Sequence, residues 1–273
     1  YGIWFGYGGG NSLIENNTII TIGLNSANVW SRTSNNVFIN NNFTSVSGFT
    51  IGVALDPCPN NCNVSNNIFR TGGRAIELNN AHNSYFFNNN ITCPVNGGTG
   101  LYIFNSNNNT FNNHNLTIQG TNDEGIVIKG SNNNYFEDVF ITTITSESEG
   151  VYLIDDSYDN VFKNLNILTT NSNIAYGIYI NKDKSNTTII DSSINAIASE
   201  DIYVGADIDP NSSLTLINVT YNKSDVVILN ESFTLINQYY FDANVTDSVT
   251  GLGVDNANVS TWYSNGTLAF SEL

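Results

Sequence analysis

The chain repeats one pattern of apolar and polar residues about every 25 residues. Each copy has an apolar residue, called here the anchor, and a second apolar residue five positions later. The anchors are Ile14, Phe38, Val64, Phe86, Phe111, Phe136, Phe162, Ile189 and Leu214. The second positions are Ile19, Phe43, Phe69, Ile91, Leu116, Ile141, Ile167, Ile194 and Val219. A fixed period of this length is typical of a solenoid, in which each repeat forms one coil.

A second motif precedes each anchor by about ten residues and usually reads glycine, apolar, any residue, apolar. Its apolar pairs are Ile3/Phe5, Val53/Leu55, Ile76/Leu78, Leu101/Ile103, Ile126/Ile128, Val151/Leu153, Ile178/Ile180 and Ile202/Val204, with degenerate copies at Ala27/Val29 and Val226/Ile228. Apolar residues two positions apart predict a β-strand and not a helix.

Short strands with one apolar face do not fold alone, but stacked coils bury these faces in one continuous core. We therefore predict an all-β fold, a right-handed parallel β-helix of about ten 25-residue coils over residues 1–236. A leucine-rich repeat is the alternative. It requires a Leu-dominated pattern, whereas these positions hold mainly Ile, Val and Phe.

The repeat stops near Gln238, and residues 237–273 alternate in polarity, with turn signals at Thr250-Gly251 and Asn265-Gly266. This pattern predicts a partial Ig-like β-sandwich segment, shorter than the ~100 residues of a complete sandwich. The chain starts at Tyr1 without an initiator Met, so we expect a mature or excised piece of a longer protein.

Asparagine recurs at fixed distances from the anchors. Three residues before them lie Asn11, Asn35, Asn61, Asn83, Asn108, Asn133, Asp159, Asn186 and Asn211. Two residues after them lie Asn16, Asn40, Asn66, Asn88, Asn113, Asp138, Asn164, Asp191 and Leu216. Because Asn tolerates left-handed turn geometry and its amide can bond to the next coil, we interpret both columns as structural.

Two runs, SNNNYFEDVFI at 131–141 and NNTFNNHNLTI at 108–118, resemble the β-helix repeats of NosD-type and pectate-lyase-like proteins. The resemblance covers about residues 1–236. Such repeats occur in polysaccharide lyases and hydrolases, in phage tailspikes and in surface proteins of archaea and bacteria. The Asn-rich, weakly charged version is most similar to archaeal and bacterial envelope proteins, and residues 237–273 resemble the start of an Ig-like or carboxypeptidase-regulatory-like β-sandwich.

The composition and charge of the chain exclude some classes of function. The 273 residues include 50 Asn, and 24 acids against 8 bases give a net charge of -16. Such an acidic chain does not bind nucleic acid, because its few bases cannot neutralise a run of phosphates. No apolar stretch is long enough to span a membrane, so we predict that this fragment is not membrane-spanning.

The chain contains no complete catalytic motif of the polygalacturonase-like enzymes. Polygalacturonase-like enzymes combine Asp-rich motifs with Gly-His-Gly and Arg-Ile-Lys on successive coils, whereas this chain offers only Asn122-Asp123 and Asp155-Asp156. Its two histidines, His82 and His114, precede both. We therefore predict no catalytic residues, and the alternative is a carbohydrate-active β-helix enzyme or a carbohydrate-binding module.

The middle residue of each glycine motif should point outward, and that column includes Trp4, Tyr102, Tyr152, Tyr179 and Tyr203. Two interpretations stay open. The rings can stabilise the sheet as a cross-strand ladder, or they can form a contact face for sugars or partner proteins.

Acidic residues cluster around the glycine motifs, at Asp123, Glu124, Glu147, Glu149, Asp155, Asp156, Asp183, Glu200, Asp201, Asp207 and Asp209. No cofactor is predicted. A solvated acidic face is the ordinary interpretation, and a structural calcium ion is the alternative, because neighbouring coils can bring carboxylates together.

Glycosylation sequons concentrate in the last part of the chain, where seven of the nine Asn after residue 210 are sequons. Others lie four residues after an anchor, where the side chain should face outward. We predict glycans on Asn42, Asn90, Asn115, Asn218, Asn222, Asn230, Asn244, Asn258 and Asn265.

Cys58 and Cys62 lie in one turn and predict a loop disulfide, which leaves Cys93 single and fits an extracellular location. Together these features predict a glycosylated, non-enzymatic structural or adhesive protein of the cell surface. Its predicted partners are copies of itself or other envelope proteins, and possibly polysaccharide.

Overall fold

The computed structural model describes residues 1–6, 10–45, 47–58, 60–170, 174–182, 184–240, 246 and 248–252, and the backbone of 259–262 and 268–272. All regular elements of these residues are β-strands, and they contain no helix. The chain divides into two compact units, Tyr1–Gln238 and Tyr239–Leu273.

The strands are numbered in chain order. They are β1 (Ile3–Phe5), β2 (Leu13–Glu15), β3 (Thr18–Thr21), β4 (Ala27–Ser31), β5 (Val37–Ile39), β6 (Asn42–Ser45), β7 (Ile51–Leu55), β8 (Asn63–Ser65), β9 (Ile68–Arg70), β10 (Arg74–Asn79), β11 (Tyr85–Phe87), β12 (Asn90–Cys93), β13 (Thr99–Phe104), β14 (Thr110–Ile118), β15 (Glu124–Lys129), β16 (Tyr135–Thr143), β17 (Val151–Ile154), β18 (Asn160–Thr169), β19 (Ile178–Asn181), β20 (Asn186–Ile190), β21 (Ser193–Ala196), β22 (Ile202–Val204), β23 (Ser213–Ile217), β24 (Val226–Ile228), β25 (Thr234–Gln238), β26 (Val259–Trp262) and β27 (Leu268–Glu272).

Two long parallel sheets form the first unit. The first sheet has the order β1-β4-β7-β10-β13-β15-β17-β19-β22-β24. The second follows β2-β5-β8-β11-β14-β16-β18-β20-β23-β25, with β3, β6, β9, β12 and β21 pairing beside this path. Because each strand of the ten-stranded first sheet pairs with its counterpart one coil later, the chain makes about nine turns. The predicted parallel β-helix is therefore confirmed.

A column of stacked phenylalanine rings fills the centre of the solenoid. Successive ring centroids of Phe86, Phe111, Phe136 and Phe162 are 4.5, 4.6 and 4.4 Å apart, and all four side chains are buried. The parallel register aligns each anchor with the next, as in the pair Phe86 and Phe111. Phe111 and Phe136 thus each contact one ring above and one below, which restricts their rotamers as well as burying their area.

The register corrects two sequence assignments. Ile189 pairs with Leu216 and not with the predicted anchor Leu214, because both leucines face inward and the turn at Asn218 sets the alignment. Near the N-terminus, Trp4 pairs with Trp30. Trp30 therefore takes the outward place expected for Asn28, and Asn28 is fully buried.

The residues of the two asparagine columns lie in turns. Positive φ angles of 50 to 63° occur throughout the first column from Asn11 to Asp159 and throughout the second from Asn16 to Asp191. Asn218 belongs to the second column as well, with φ 53°. The left-handed region costs free energy for most residues but is tolerated by Asn and Asp, which explains why these two residues occupy the turn positions.

Buried amide ladders run beside these turns. The Oδ1 of Asn67 accepts bonds from the Asn41 backbone nitrogen at 2.9 Å and from its side-chain nitrogen at 3.1 Å. Asn109 bonds to Asn134, and Asn134 to Asn160, in the same way. Each amide of these ladders bonds to the next coil, so the ladders join coil to coil and the buried amides keep their hydrogen bonds.

The second unit contains one antiparallel pair, β26 with β27. Its predicted Ig-like character stays a prediction. Among the described residues, no helix has the length and hydropathy needed to cross a membrane.

Candidate functional site

The outward surface of the first sheet, called here the outer face, carries most of the predicted contact residues. Its central column reads Trp4, Trp30, Ala54, Glu77, Tyr102, Val127, Tyr152, Tyr179, Tyr203 and Val227. Trp4 is 58% exposed, whereas the four tyrosines are half-buried. These five aromatic residues are therefore at least partly accessible to solvent.

Four tyrosines pack together at one end of the outer face, and we call them the tyrosine quartet: Tyr152, Tyr176, Tyr179 and Tyr203. Tyr152 stacks on Tyr179 with centroids 4.8 Å apart, and Tyr176 stacks on Tyr203 at 4.4 Å. The two pairs meet edge-on, with Tyr179 and Tyr203 at 5.4 Å and an interplanar angle of 73°. The quartet is therefore compatible with both interpretations of the tyrosine column, because its rings stack as a cross-strand ladder and remain partly exposed as a contact face would.

Sequence reasoning missed Tyr176. It precedes the glycine of its motif, in a neighbouring column of the outer face, and only the bend of the chain at Gly177 turns it toward Tyr203. Burial, together with Tyr203 and Glu200 nearby, raises the pKa of Tyr176 to about 12. Its hydroxyl is therefore a neutral hydrogen-bond donor and acceptor at physiological pH.

Two carboxyl groups lie beside the quartet on adjacent coils. The Gly125 backbone N–H donates to the Glu149 carbonyl at 2.9 Å, and the Ile126 N–H donates to the Gly150 carbonyl at 3.0 Å, so Glu124 and Glu149 are neighbours on adjacent coils. Burial, and then the charge of Glu124, raises the pKa of Glu149 to about 7. Burial also raises the pKa of Glu124, but a hydrogen bond from Thr99 at 3.0 Å and the charge of Arg74 oppose this rise.

Arg74 joins this group from the N-terminal side. Its Nη1 lies 3.1 Å from Glu77 Oε2, and its guanidinium carbon lies 3.4 Å from the centroid of the Tyr102 ring. The guanidinium is therefore held between a carboxylate and an aromatic face, which restricts its movement.

Most of the other predicted acids have structural partners. Asp123 is buried, and its Oδ1 accepts the Gly98 backbone N–H at 2.7 Å. Asp201 accepts the backbone N–H of Ala196 and of Asn222, each at 2.6 Å. Burial raises the pKa of both carboxyl groups, that of Asp123 to about 7. These two acids fasten loops to the solenoid.

The described acids, histidines and cysteines contain no group of three that could hold a metal ion. Asp155 instead contacts Lys129 at 3.4 Å and Lys182 at 3.2 Å. Asp183 lies outside the described residues. Calcium binding therefore has no support from the geometry and stays a prediction to be tested by chelation.

His114 is buried in the column of Asn17, Asn41, Asn67 and Asn89, and burial lowers its pKa to about 4. A neutral imidazole in the core packs against Phe111, with centroids 6.2 Å apart. His114 is therefore part of the packed core.

The predicted glycosylation sites fall into three groups. Asn42, Asn90 and Asn115 are exposed on the outside of the second sheet, as expected. Asn218 is exposed in a turn, where its nitrogen donates to Asp191 at 2.8 Å, and the register places it two residues after an anchor instead of four; its glycosylation stays a prediction. Asn222 donates to Asp225, and Asn230 donates to two backbone carbonyls. Asn244, Asn258 and Asn265 lie outside the described residues.

The cysteines are distributed as the sequence suggested. Cys58 and Cys62 are joined by a disulfide, and Cys93 is free and buried. Burial raises the pKa of the Cys93 thiol to about 12, so it is an inert part of the core.

No protein-family model and no curated protein matches the chain. Among solved structures, the periplasmic alginate epimerase AlgG is similar with a TM-score of 0.45 and 12% identity, over 78% of this chain and 70% of the epimerase chain. The catalytic domain of a GH87 alpha-1,3-glucanase in complex with nigerose gives 0.38 and 12%, over 83% and 64%. A tailspike protein double mutant of E. coli bacteriophage HK620 gives 0.41 and 11%, over 84% and 54%. Similarities of this size do not define a function.

Proposed function

We propose that the outer face of the first sheet binds a neutral polysaccharide. The tyrosine quartet is the observation that carries this proposal. It combines four partly exposed aromatic rings with hydroxyl groups, and it lies beside carboxyl groups that can accept or donate hydrogen bonds. Ligand sites typically pair an aromatic lining with a few polar groups in this way.

Charge favours a neutral ligand over an anionic one. The chain carries a net charge of -16, and Glu124, Glu149 and Glu200 lie beside the quartet. Arg74, whose charge acts on the Glu124 carboxyl, has its Nη1 engaged with Glu77. A uronate chain would meet like charges along this face, and their repulsion would oppose binding.

The proposal is tested by binding measurements on a neutral glucan, mannan and galactan, with alginate and polygalacturonate as anionic counterparts. Tyr179→Ala should weaken binding of the neutral ligand by about tenfold or more, since aromatic anchors dominate binding energy. The matched control is Tyr85→Ala, which removes an exposed tyrosine that stacks on Phe87 outside the second sheet. Equal binding by both variants and the wild type would contradict the proposal.

Hydrolysis of the bound glycan is a second candidate, favoured by the Glu124 and Glu149 pair. Strands about 4.8 Å apart place the backbones of Glu124 and Glu149 one coil step apart, a spacing comparable with the ~5 Å between the carboxyl groups of retaining glycosidases. Glu149, protonated near neutral pH, would donate its proton to the glycosidic oxygen while the Glu124 carboxylate attacks the anomeric carbon. Water would then cleave the glycosyl ester, and its proton would return to Glu149.

This second candidate predicts release of reducing ends from the neutral polysaccharide. Glu149→Gln removes the acid and Glu124→Gln removes the nucleophile, so each should lower the rate by about a hundredfold or more. Glu137→Gln, on the second sheet, is the control. Binding without any release of reducing ends would limit the protein to recognition.

An extracellular location and a place on the cell surface belong to the same proposal. The disulfide between Cys58 and Cys62 and the exposed sequons at Asn42, Asn90 and Asn115 support it. The resemblance to NosD-type repeats rests on the runs at 131–141 and 108–118, and assembly with copies of itself is compatible with glycan binding. Intact-mass analysis of the secreted protein tests whether these sequons carry sugar.

A further inference from the structure

A cavity of about 310 Å³ opens on the outer face, N-terminal to the carboxyl pair. Phe49, Arg74, Glu77, Thr99 and Asn122 contribute to its lining. It combines an aromatic ring, a charged pair, a hydroxyl and an amide, which is the mixture found in small-ligand sites.

Phe49 has an unusual conformation. Its φ is 57°, in the left-handed region that is a genuine outlier for a bulky residue, and its side chain is 71% exposed. A large apolar side chain gains nothing for folding by such exposure, and the left-handed backbone costs free energy. Backbone strain of this kind clusters at active sites and ligand-binding sites.

The surroundings of Phe49 are built to hold this loop. A side chain at Gly73 would meet the Thr50 carbonyl oxygen at 2.2 Å, so only glycine lets the two segments touch. The ring of Phe49 faces Gly97, whose own φ is 87°, and a Cβ there would lie 3.6 Å from the ring. The backbone around Gly97 is fastened in turn by Asp123, which accepts the Gly98 N–H.

We propose that this cavity is a separate subsite that takes one sugar unit of a neutral glycan, with Phe49 stacked on the ring of the sugar. Arg74 and Asn122 are the hydrogen-bond donors for its hydroxyls. The inference rests on the proposed function, because the same glycan runs along the outer face to the tyrosine quartet. Four strand steps separate β10 from β19, so a ligand that reaches both regions must span about 19 Å.

The test compares oligosaccharides of increasing length, prepared from the neutral polysaccharide that the wild-type protein binds. Phe49→Asn suits the left-handed backbone, so the thermal midpoint should hold or rise. Affinity for oligosaccharides longer than the span should fall about tenfold or more, while affinity for shorter ones bound at the quartet stays unchanged. Phe49→Tyr should keep the long-ligand affinity.

The control is Phe140→Asn, which alters an exposed phenylalanine outside the second sheet. If Tyr179→Ala loses binding but Phe49→Asn binds long ligands like the wild type, the subsite is wrong and the proposed function stands. An equal loss for short and long ligands also overturns the subsite. If Tyr179→Ala and Phe49→Asn both bind like the wild type, or no neutral polysaccharide binds, the proposed function and the subsite fail together.

Discussion

Glu149 should make the stability of the protein depend on pH in a defined window. Its pKa is about 7 in the folded chain and 4.5 as an ordinary glutamate, so between these values the folded state binds more protons than the unfolded state. The free energy of unfolding therefore decreases as the pH rises from about 4.5 to 7. Below 4.5 the carboxyl is protonated in both states and this contribution is absent.

The magnitude follows from the pKa difference. At about 1.4 kcal/mol for each pH unit, the pKa difference of about 2.5 sets a ceiling of about 3.5 kcal/mol. Solvent reaches the half-buried carboxyl and weakens its charge interactions, so we expect about 1–3 kcal/mol. Glu149→Gln removes the ionisation and should be more stable than the wild type by this amount at pH 8, but equally stable at pH 4.

Urea unfolding across this pH range measures the effect. Asp123 also has a raised pKa of about 7, but it is present in both proteins and cancels in their difference. Parallel stability curves for wild type and Glu149→Gln would refute the reasoning, because they would mean that the Glu149 carboxyl titrates as it does in water.

Two further predictions concern the solenoid. Phe111→Ala should lower the free energy of unfolding by about 3–5 kcal/mol, since it empties the space between two stacked rings, whereas Phe140→Ala on the surface should cost less than 1 kcal/mol. Urea denaturation measures both, and equal losses would contradict the central role of the ring column. Asn113 has φ 57°, so Asn113→Ala should be about 1 kcal/mol less stable than Asn113→Gly; a more stable alanine variant would show that left-handed geometry does not select Asn.

The repeat made the fold predictable. Apolar anchors such as Phe111 and Phe136 occur at a constant spacing, and a β-helix is the arrangement that turns this spacing into one core. The spacing fails where two alternating residues compete, as at Leu214 and Leu216. Both face inward there, and the hydrogen bond from Asn218 to Asp191 accompanies the register that the strand adopts.

The site was only half predictable. Tyr152 and Tyr179 follow from strand alternation, because the middle residue of an apolar pair points outward. Tyr176, Glu124 and Glu149 precede the glycines, where the chain bends, and alternation does not tell which way such residues point. The sequence therefore predicts surface acids or calcium ligands at these two glutamates, whereas burial in the structure raises the pKa of both carboxyl groups.

Coil length varies at the bends between the second and the first sheet. Seven residues separate Phe69 from Ile76, and eleven separate Ile167 from Ile178, although each pair connects the same two columns of the core. These bends border the outer face, and one of them carries Phe49. Insertions there can lengthen or shorten the walls around a ligand while every core contact keeps its partner. The solenoid thus separates the part of the chain that sets its architecture from the part in which ligand preference can diverge.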